Sequence, residues 1–312
     1  LEGIVIKSTG SWFTVMAKDG TFAECKLKGN FRMKGIKTTN PVAVGDKVDF
    51  LPDKDENAGL ITKIFPRNNH IIRKATNLSK LSHIIAANID QALLVASLYE
   101  PRTSVGFIDR FLVTAEAYHI PAILIFNKID IYDKERFAEL DKVSGIYRAA
   151  GYPCYAVSAL TGENVETLKA IIKDKTNLFS GISGVGKSAL VNAIEPGLSL
   201  RTGIISDYHK KGKHTTTFPE MHPLSFGGFI IDTPGIREFG LVDFRKEEIA
   251  ERFPEMRHFM HECQFNNCSH IHEPRCAVKD AVERGEIPTS RYESYLRIYK
   301  DDYLDMEEWE WE

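Results

Sequence analysis

The octapeptide GISGVGKS, residues 181–188, fits the pattern G-x-x-x-x-G-K-S, and its residue types suit phosphate chemistry. Glycines at 181, 184 and 186 let the backbone of Gly181, Ile182, Ser183, Gly184, Val185 and Gly186 close around phosphate oxygens with N–H groups pointing inward. Lys187 then reaches the β and γ phosphates of a nucleotide, and the Ser188 hydroxyl is placed to ligate Mg2+. Downstream, DTPG (232–235) supplies an acid, Asp232, that can hold Mg2+ through water, and an N–H at Gly235 that can sense a γ-phosphate. Between these two motifs lies KGKHTTT (211–217), where one of Thr215, Thr216 and Thr217 is expected to reach the magnesium and the γ-phosphate; spacing leaves open which one.

A base-reading motif is also present, but upstream. NKID (127–130) directly follows the apolar run PAILIF. Asp130 is placed to accept from the N1–H and N2–H2 groups of guanine, a pair that adenine does not offer. Asn127 can bond the O6/N7 edge or brace the loop, and the Lys128 stem can cover the base. Some twenty-five residues on, VSAL offers the Ser158 and Ala159 backbone as donors to O6. Along the chain the order is therefore base reader, Ser-Ala turn, phosphate loop, threonines, DTPG. The usual order begins at the phosphate loop, so this chain reads as a circular permutation, which is tolerable because chain ends lie at the surface and can be rejoined there.

A third group of residues suits a metal. Cys263, Cys268, His270 and Cys276 have the spacing C-x4-C-x-H-x5-C, and three thiolates with one imidazole make a closed set typical of structural zinc, expected at one per chain. His261 and His272 compete for the imidazole position. The remaining cysteines, Cys25 and Cys154, stand alone, a pattern that favours a reducing compartment and a metal over a disulfide scaffold.

These groups need elements to hold them. QALLVASL (91–98), PAILIF (121–126), YAVSAL (155–160), NLFSG (177–181) and GFIID (228–232) read as buried strands, and VGFIDRFLVTAEAYH (105–119) has helical apolar spacing. Such alternation predicts an α/β domain over 69–238, a mostly parallel sheet flanked by helices, with ligands at the C-terminal ends of its strands. Residues 1–68 instead carry five short β-type runs separated by turn signals: GIVIK, WFTVMA, FAECKL, DKVDFL and LITKIF. They predict a small barrel of OB type or, alternatively, SH3-like type. Its run KLKGNFRMKGIK, and an excess of 11 Lys/Arg over 8 Asp/Glu in residues 1–70, suit a nucleic-acid face or simply a solvated surface. Residues 239–312 read as a mostly helical segment around the Cys/His cluster.

With 312 residues, 43% apolar and 27% charged, the chain is long enough for two or three globular domains. No apolar run approaches the roughly 20 residues that span a bilayer, and LEGIVIKSTG lacks the layout of a secretion signal. A cytoplasmic, membrane-free, monomeric protein is the expectation.

In its permuted motif order, its barrel, KGKHTTT and its Cys/His cluster, the chain resembles the RsgA (YjeQ) family over essentially its whole length. The resemblance implies an OB-fold barrel that binds RNA, a circularly permuted GTPase domain and a C-terminal zinc-binding domain. It further implies a GTP hydrolase that binds the small (30S) ribosomal subunit and its rRNA, assists late maturation, is stimulated by the subunit and leaves on hydrolysis. Ile236 stands where many small GTPases place a water-orienting Gln. Hydrolysis by the free protein is therefore expected to be slow, and His214, beside the threonines, is the candidate to orient water once a partner holds that loop. The competing reading is an RNA-binding zinc protein whose nucleotide is structural.

Overall fold

Alternation of buried and solvent-facing positions builds the N-terminal barrel. The structure, a computed structural model, describes residues 1–27, 41–52, 58–73, 83–198, 219–232 and 245–300. Its first strands are β1 (Glu2–Ser8), β2 (Phe13–Ala17), β3 (Phe22–Leu27), β4 (Lys47–Leu51) and β5 (Gly59–Ile64). In β2, Phe13, Val15 and Ala17 are buried while Thr14 and Met16 are half-buried, the period of two expected of a strand with one face on a core. Those residues meet Val5, Cys25, Val48, Phe50 and Ile61 in a core of their own. The strand order is β1-β2-β3-β5-β4, with β4 returning to β1. This closed five-stranded arrangement is of OB type and leaves no open edge within the barrel.

A short antiparallel hairpin follows, β6 (His70–Arg73) and β7 (His83–Ala87). Then come β8 (Gln91–Ala96), α1 (Val105–Ala117), β9 (Ala122–Phe126), α2 (Lys134–Ala149), β10 (Cys154–Ala156), α3 (Val165–Ile172), β11 (Thr176–Ser180), α4 (Lys187–Ile194), β12 (Glu220–Pro223) and β13 (Phe229–Asp232). Every residue of β8 and β9 is buried, as required of strands covered on both faces. Strands β10, β9, β8, β11 and β13 run parallel in that order. Helices α1 and α2 cover one face through Phe111, Leu112, Leu140 and Tyr147. The other is covered by α3 and α4 through Leu168, Leu190 and Val191. Fully buried side chains such as Leu112 and Leu190 each stabilise by about 1.5–3 kcal/mol relative to exposure. Ser104 caps α1 by accepting from the Phe107 N–H at 3.1 Å, and Asp133 caps α2 by accepting from Arg136 at 2.9 Å.

Two features of this sheet differ from the sequence expectation. Strand β10 stops at Ala156, because Ser158 to Leu160 turn away from it. Strand β12 is antiparallel to β13 and pairs on its other side with β1 of the barrel, where Lys7 stands opposite Glu220 and their side chains meet at 3.3 Å. Barrel and α/β sheet thus form a single eleven-stranded sheet. A second seam reinforces it: Ala87 donates to the Val44 carbonyl at 2.8 Å and Asn88 Nδ2 to the Gly45 carbonyl at 2.9 Å. Arg67 grips the buried Asp46 carboxylate with Nε and Nη2, both at 2.6 Å.

Beyond residue 245 the chain forms two 3-10 turns, α5 (Pro254–Phe259), a further 3-10 turn, α6 (Ala277–Glu283) and α7 (Thr289–Tyr299). Phe253, Met256, Tyr295 and Ile298 make a core that also takes in Val113 of α1. At this contact Arg291, fully buried, bonds Asp109 of α1 and Glu255 of α5, each at 2.5 Å. Among the described residues, no helix is long and apolar enough to cross a membrane.

Candidate nucleotide and metal sites

The candidate nucleotide residues gather where β8, β9 and β11 end. β11 stops at Ser180, the loop from Gly181 turns back, and α4 starts at Lys187. Gly181 (φ +155°) passes so close to β8 that a Cβ would stand 2.4 Å from the Val95 carbonyl oxygen. At Gly186 (φ +88°) a Cβ would stand 2.4 Å from Asn127 Nδ2. Glycine is required at both positions by backbone conformation and space together. Val185 is buried beneath the loop, Ile182 is half-buried, and Ser183 and Gly184 face solvent. Lys187 and Ser188 open α4, where N-terminal backbone N–H groups and the helix dipole favour an anion. Asp232 ends β13, paired in register with Phe179 of β11. Gly235, Ile236, His214, Thr215, Thr216 and Thr217 lie outside the described residues, as does most of KLKGNFRMKGIK.

Asn127 joins three loops. It is 1% exposed. Its backbone N–H donates to Ala96 at 2.8 Å, its Nδ2 to the Val185 carbonyl at 2.9 Å, and its Oδ1 accepts from the Ala159 N–H at 3.0 Å. Of the two roles open to it from sequence, bracing is the one that this geometry displays. Lys128 is left-handed (φ 69°) and its ammonium donates to the Glu100 carbonyl. Asp130 sits in a 3-10 turn, Ile129–Ile131, exposed, with Oδ1 accepting from the Ser158 hydroxyl at 2.5 Å. Ser158 itself is buried, and its backbone N–H donates to the Glu163 carbonyl at 3.1 Å. The two expected O6 donors, at Ser158 and Ala159, are therefore both engaged within the protein. The carboxylate of Asp130 is aimed by Ser158 and open to solvent, an arrangement that can accept from two neighbouring N–H groups of a ligand.

The metal candidates also converge. The ligand atoms of Cys263, Cys268, His270 and Cys276 all lie within 4.8 Å of one another. His270 Nδ1 is 3.5 Å from Cys263 Sγ and 3.4 Å from Cys276 Sγ, and these two sulfurs are 3.9 Å apart. Tetrahedral bonds of about 2.0 Å to nitrogen and 2.3 Å to sulfur give edges close to these lengths, so the donor set and its spacing fit zinc. Burial pushes the Cys268 thiol up to about 12 and raises Cys276 too, so a divalent cation would be needed for them to ionise at neutral pH. His261 and His272, the competing imidazoles, are exposed and outside the group. The loop carrying His270 is fixed from behind: Tyr292 donates to the His270 carbonyl at 2.7 Å, and Tyr295 to that of Ser269. Burial works against charge on Glu273, but bonds from the Ser269 N–H and hydroxyl (2.8 and 2.7 Å) and from Ile271 more than offset it. They hold its carboxyl down at about 2.

Comparison with known proteins decides the family. A model described as the RsgA GTPase matches residues 64–242, and one described as the RsgA N-terminal domain matches 2–61. The chain belongs to the RsgA GTPase family. A Christiangramia forsetii protein called small ribosomal subunit biogenesis GTPase RsgA is 54% identical over 304 residues, 97% of this chain and 96% of that one. One of the same name from Flavobacterium psychrophilum is 55% identical, covering 97% and 93%. Among solved structures, YjeQ from Thermotoga maritima matches with a TM-score of 0.79 at 36% identity over 96% of this chain and 97% of that one. YloQ, described as a circularly permuted GTPase, matches with a TM-score of 0.76 at 31% identity over 99% and 96%.

As an RsgA-family member the chain is a GTP hydrolase, and its motif order is that of a circularly permuted GTPase. Sequence reasoning missed two neighbours of the site. Leu160, next after Ala159, is 83% exposed, an apolar surface beside the base loop. The segment 97–104 reaches both nucleotide loops through Glu100 and Pro101. Nothing local in SLYEPRTS marks it; only the strand order, with β8 between β9 and β11, brings it there.

Proposed function

We propose that this chain is a GTP-driven switch in maturation of the small ribosomal subunit: it binds the subunit and its rRNA, and leaves when GTP is hydrolysed to GDP and phosphate. The observation that supports it most is full-length similarity to proteins named for that role, together with Asn127, Asp130–Ser158 and the phosphate loop meeting at one end of one sheet. Asp130 reads guanine, Lys128 and Leu160 flank the base, and the N–H groups of 181–186 hold the phosphates. Lys187 offsets charge that develops on the transferred phosphoryl group. Ser188 and one of Thr215, Thr216 and Thr217 would hold magnesium, with Asp232 acting through water and Gly235 sensing the γ-phosphate; the ion supplies further charge neutralisation there. His214 orients the attacking water once the subunit fixes its loop. The barrel, 1–68, contacts rRNA. Residues 239–312 form a domain cross-linked by one zinc ion on Cys263, Cys268, His270 and Cys276. In this reading the protein works in the cytoplasm as a monomer, with 69–238 as the GTPase domain.

GTP turnover measured with and without purified small subunits tests this. Alone, the protein should turn over GTP more slowly than about 1 s⁻¹. Subunits should accelerate it, and added salt should weaken that acceleration because Lys and Arg contacts to phosphate release counterions. Turnover indifferent to subunits at low salt would refute the ribosomal role and favour a structural nucleotide.

A further inference from the structure

We propose that the segment Ser97–Ser104, between β8 and α1, is a strut that positions both nucleotide loops, and that Tyr99 and Glu139 act through it to set how long a guanine nucleotide stays bound. The inference rests on reading the site as a guanine-nucleotide site. The strut's place follows from topology: β8 lies between β9, which feeds the base loop, and β11, which feeds the phosphate loop. What leaves β8 must run between them.

It touches both. The Glu100 carbonyl accepts from the Lys128 ammonium, which fixes the side chain that flanks the base. The Pro101 ring stands beside Gly184: a Cβ there would lie 3.2 Å from Pro101 Cδ and 3.4 Å from Cγ. The strut is itself held tightly. Within it, Thr103 donates to the Ser97 carbonyl at 2.7 Å, the Ser97 N–H donates to Thr103 Oγ1 at 3.0 Å, and the Ser97 hydroxyl donates to the Tyr99 carbonyl at 2.5 Å. From outside it, α2 and the turn before it supply several holds. The Leu98 N–H donates to the Tyr132 hydroxyl at 3.1 Å, and the Tyr99 hydroxyl donates to Glu139. Arg102 Nη2 donates to Glu139 Oε1 at 2.9 Å. The Tyr99 ring packs edge-on to Tyr132 at 5.4 Å, with the Arg136 guanidinium 4.5 Å above it. The Arg102 pair is exposed, and such pairs contribute little; the buried Leu98–Tyr132 bond anchors the start of the strut, and the Tyr99–Glu139 bond is the tie next to Glu100. A continuous path then runs from Glu139 through Tyr99 and Glu100 to Lys128. None of these groups touches reacting atoms. They are positioning residues.

The test is release of a fluorescent GDP analogue from the full-length protein, unmutated and as Tyr99→Phe, Glu139→Ala and Glu139→Gln, with thermal midpoints taken without nucleotide. Tyr99→Phe and Glu139→Ala should each speed release about three- to tenfold, the scale of one lost hydrogen bond. Glu139→Gln keeps an oxygen acceptor for the hydroxyl and should restore most of the slow rate. Midpoints should stay within about 2 °C of the unmutated protein. Unchanged release in both Tyr99→Phe and Glu139→Ala, or faster release that only tracks a falling midpoint, overturns the strut. An unmutated protein that holds no GDP overturns the nucleotide site and the strut with it.

Discussion

Asp130 is aimed by the Ser158 hydroxyl and bare on its solvent side. Replacing it with Asn keeps the shape but turns half the group into a donor. Asp130→Asn should lose at least about tenfold in GTP affinity and gain xanthosine triphosphate, whose 2-oxo group wants a donor; competition binding of the two nucleotides checks this. Gly186→Ala should be worse than its size suggests. The methyl would strike Asn127 Nδ2 and sit at φ +88°, a strain of about 1–3 kcal/mol, and Asn127 is what ties Val185 to Ala159. Calorimetry should show both nucleotide affinity and thermal midpoint fall. His214→Ala should abolish most subunit stimulation while sparing nucleotide affinity, whereas Lys187→Ala should damage phosphate binding with or without subunits; stimulated turnover and equilibrium binding separate the two. The turn of the phosphate-loop motif, between a strand and a helix, was legible in sequence because its glycines act locally. Bracing was one of two roles open to Asn127 there, but its partners, 58 and 32 positions away, were not readable.

Among the elements, the junction of α1 with α5 and α7 carries the largest buried charge described. Arg291 is fully enclosed, with its guanidinium 4.7 Å from the Phe253 ring and two carboxylates against it. Arg291→Ala leaves Asp109 and Glu255 buried without their cation, which costs about 3–5 kcal/mol. Burial pushes the Asp109 carboxyl up, and Arg291 opposes that shift. In the variant burial loses its largest opponent, with only Ser294 and Tyr147 left to lower the group, so the folded state prefers neutral Asp109. A raised acid contributes stability below its unfolded pKa and loses it as pH rises through the folded one. Denaturant titrations should therefore find Arg291→Ala less destabilised in mild acid than at pH 8. Long apolar strands such as β8 and β9 were legible from composition; β12 was not. Its four residues, EMHP, include a Pro, and the strand that pairs with its outer edge lies more than 200 positions upstream.

At the scale of the molecule, the buried apolar residues described fall into four clusters, and the Cys/His loop belongs to the one built by α5 to α7. Metal analysis of chelator-free protein should find one zinc per chain, and a strong chelator should loosen residues 245–300 while leaving GTP binding in place, because the α/β core does not depend on those ligands. Circular dichroism with nucleotide binding on the same sample checks both halves. Motif order made the permutation readable without any structure. The fusion of barrel and sheet was not readable, since its strand pairing is one rung, Lys7 opposite Glu220, and its second seam joins Val44 and Gly45 to Ala87 and Asn88.

The bond between Asp109 and Arg291 spans 182 positions, and a nascent chain meets that distance as time. At about 5–20 residues per second, roughly 9–36 s separate synthesis of the two residues. By its end the strands and helices of the α/β unit have all been made, and elementary folding steps are far faster. Helix α1 must then wait with its outer face wet, the Asp109 carboxylate hydrated and Val113 uncovered. The C-terminal helices thus arrive at a finished surface, and their docking removes water from two opposite charges in one event.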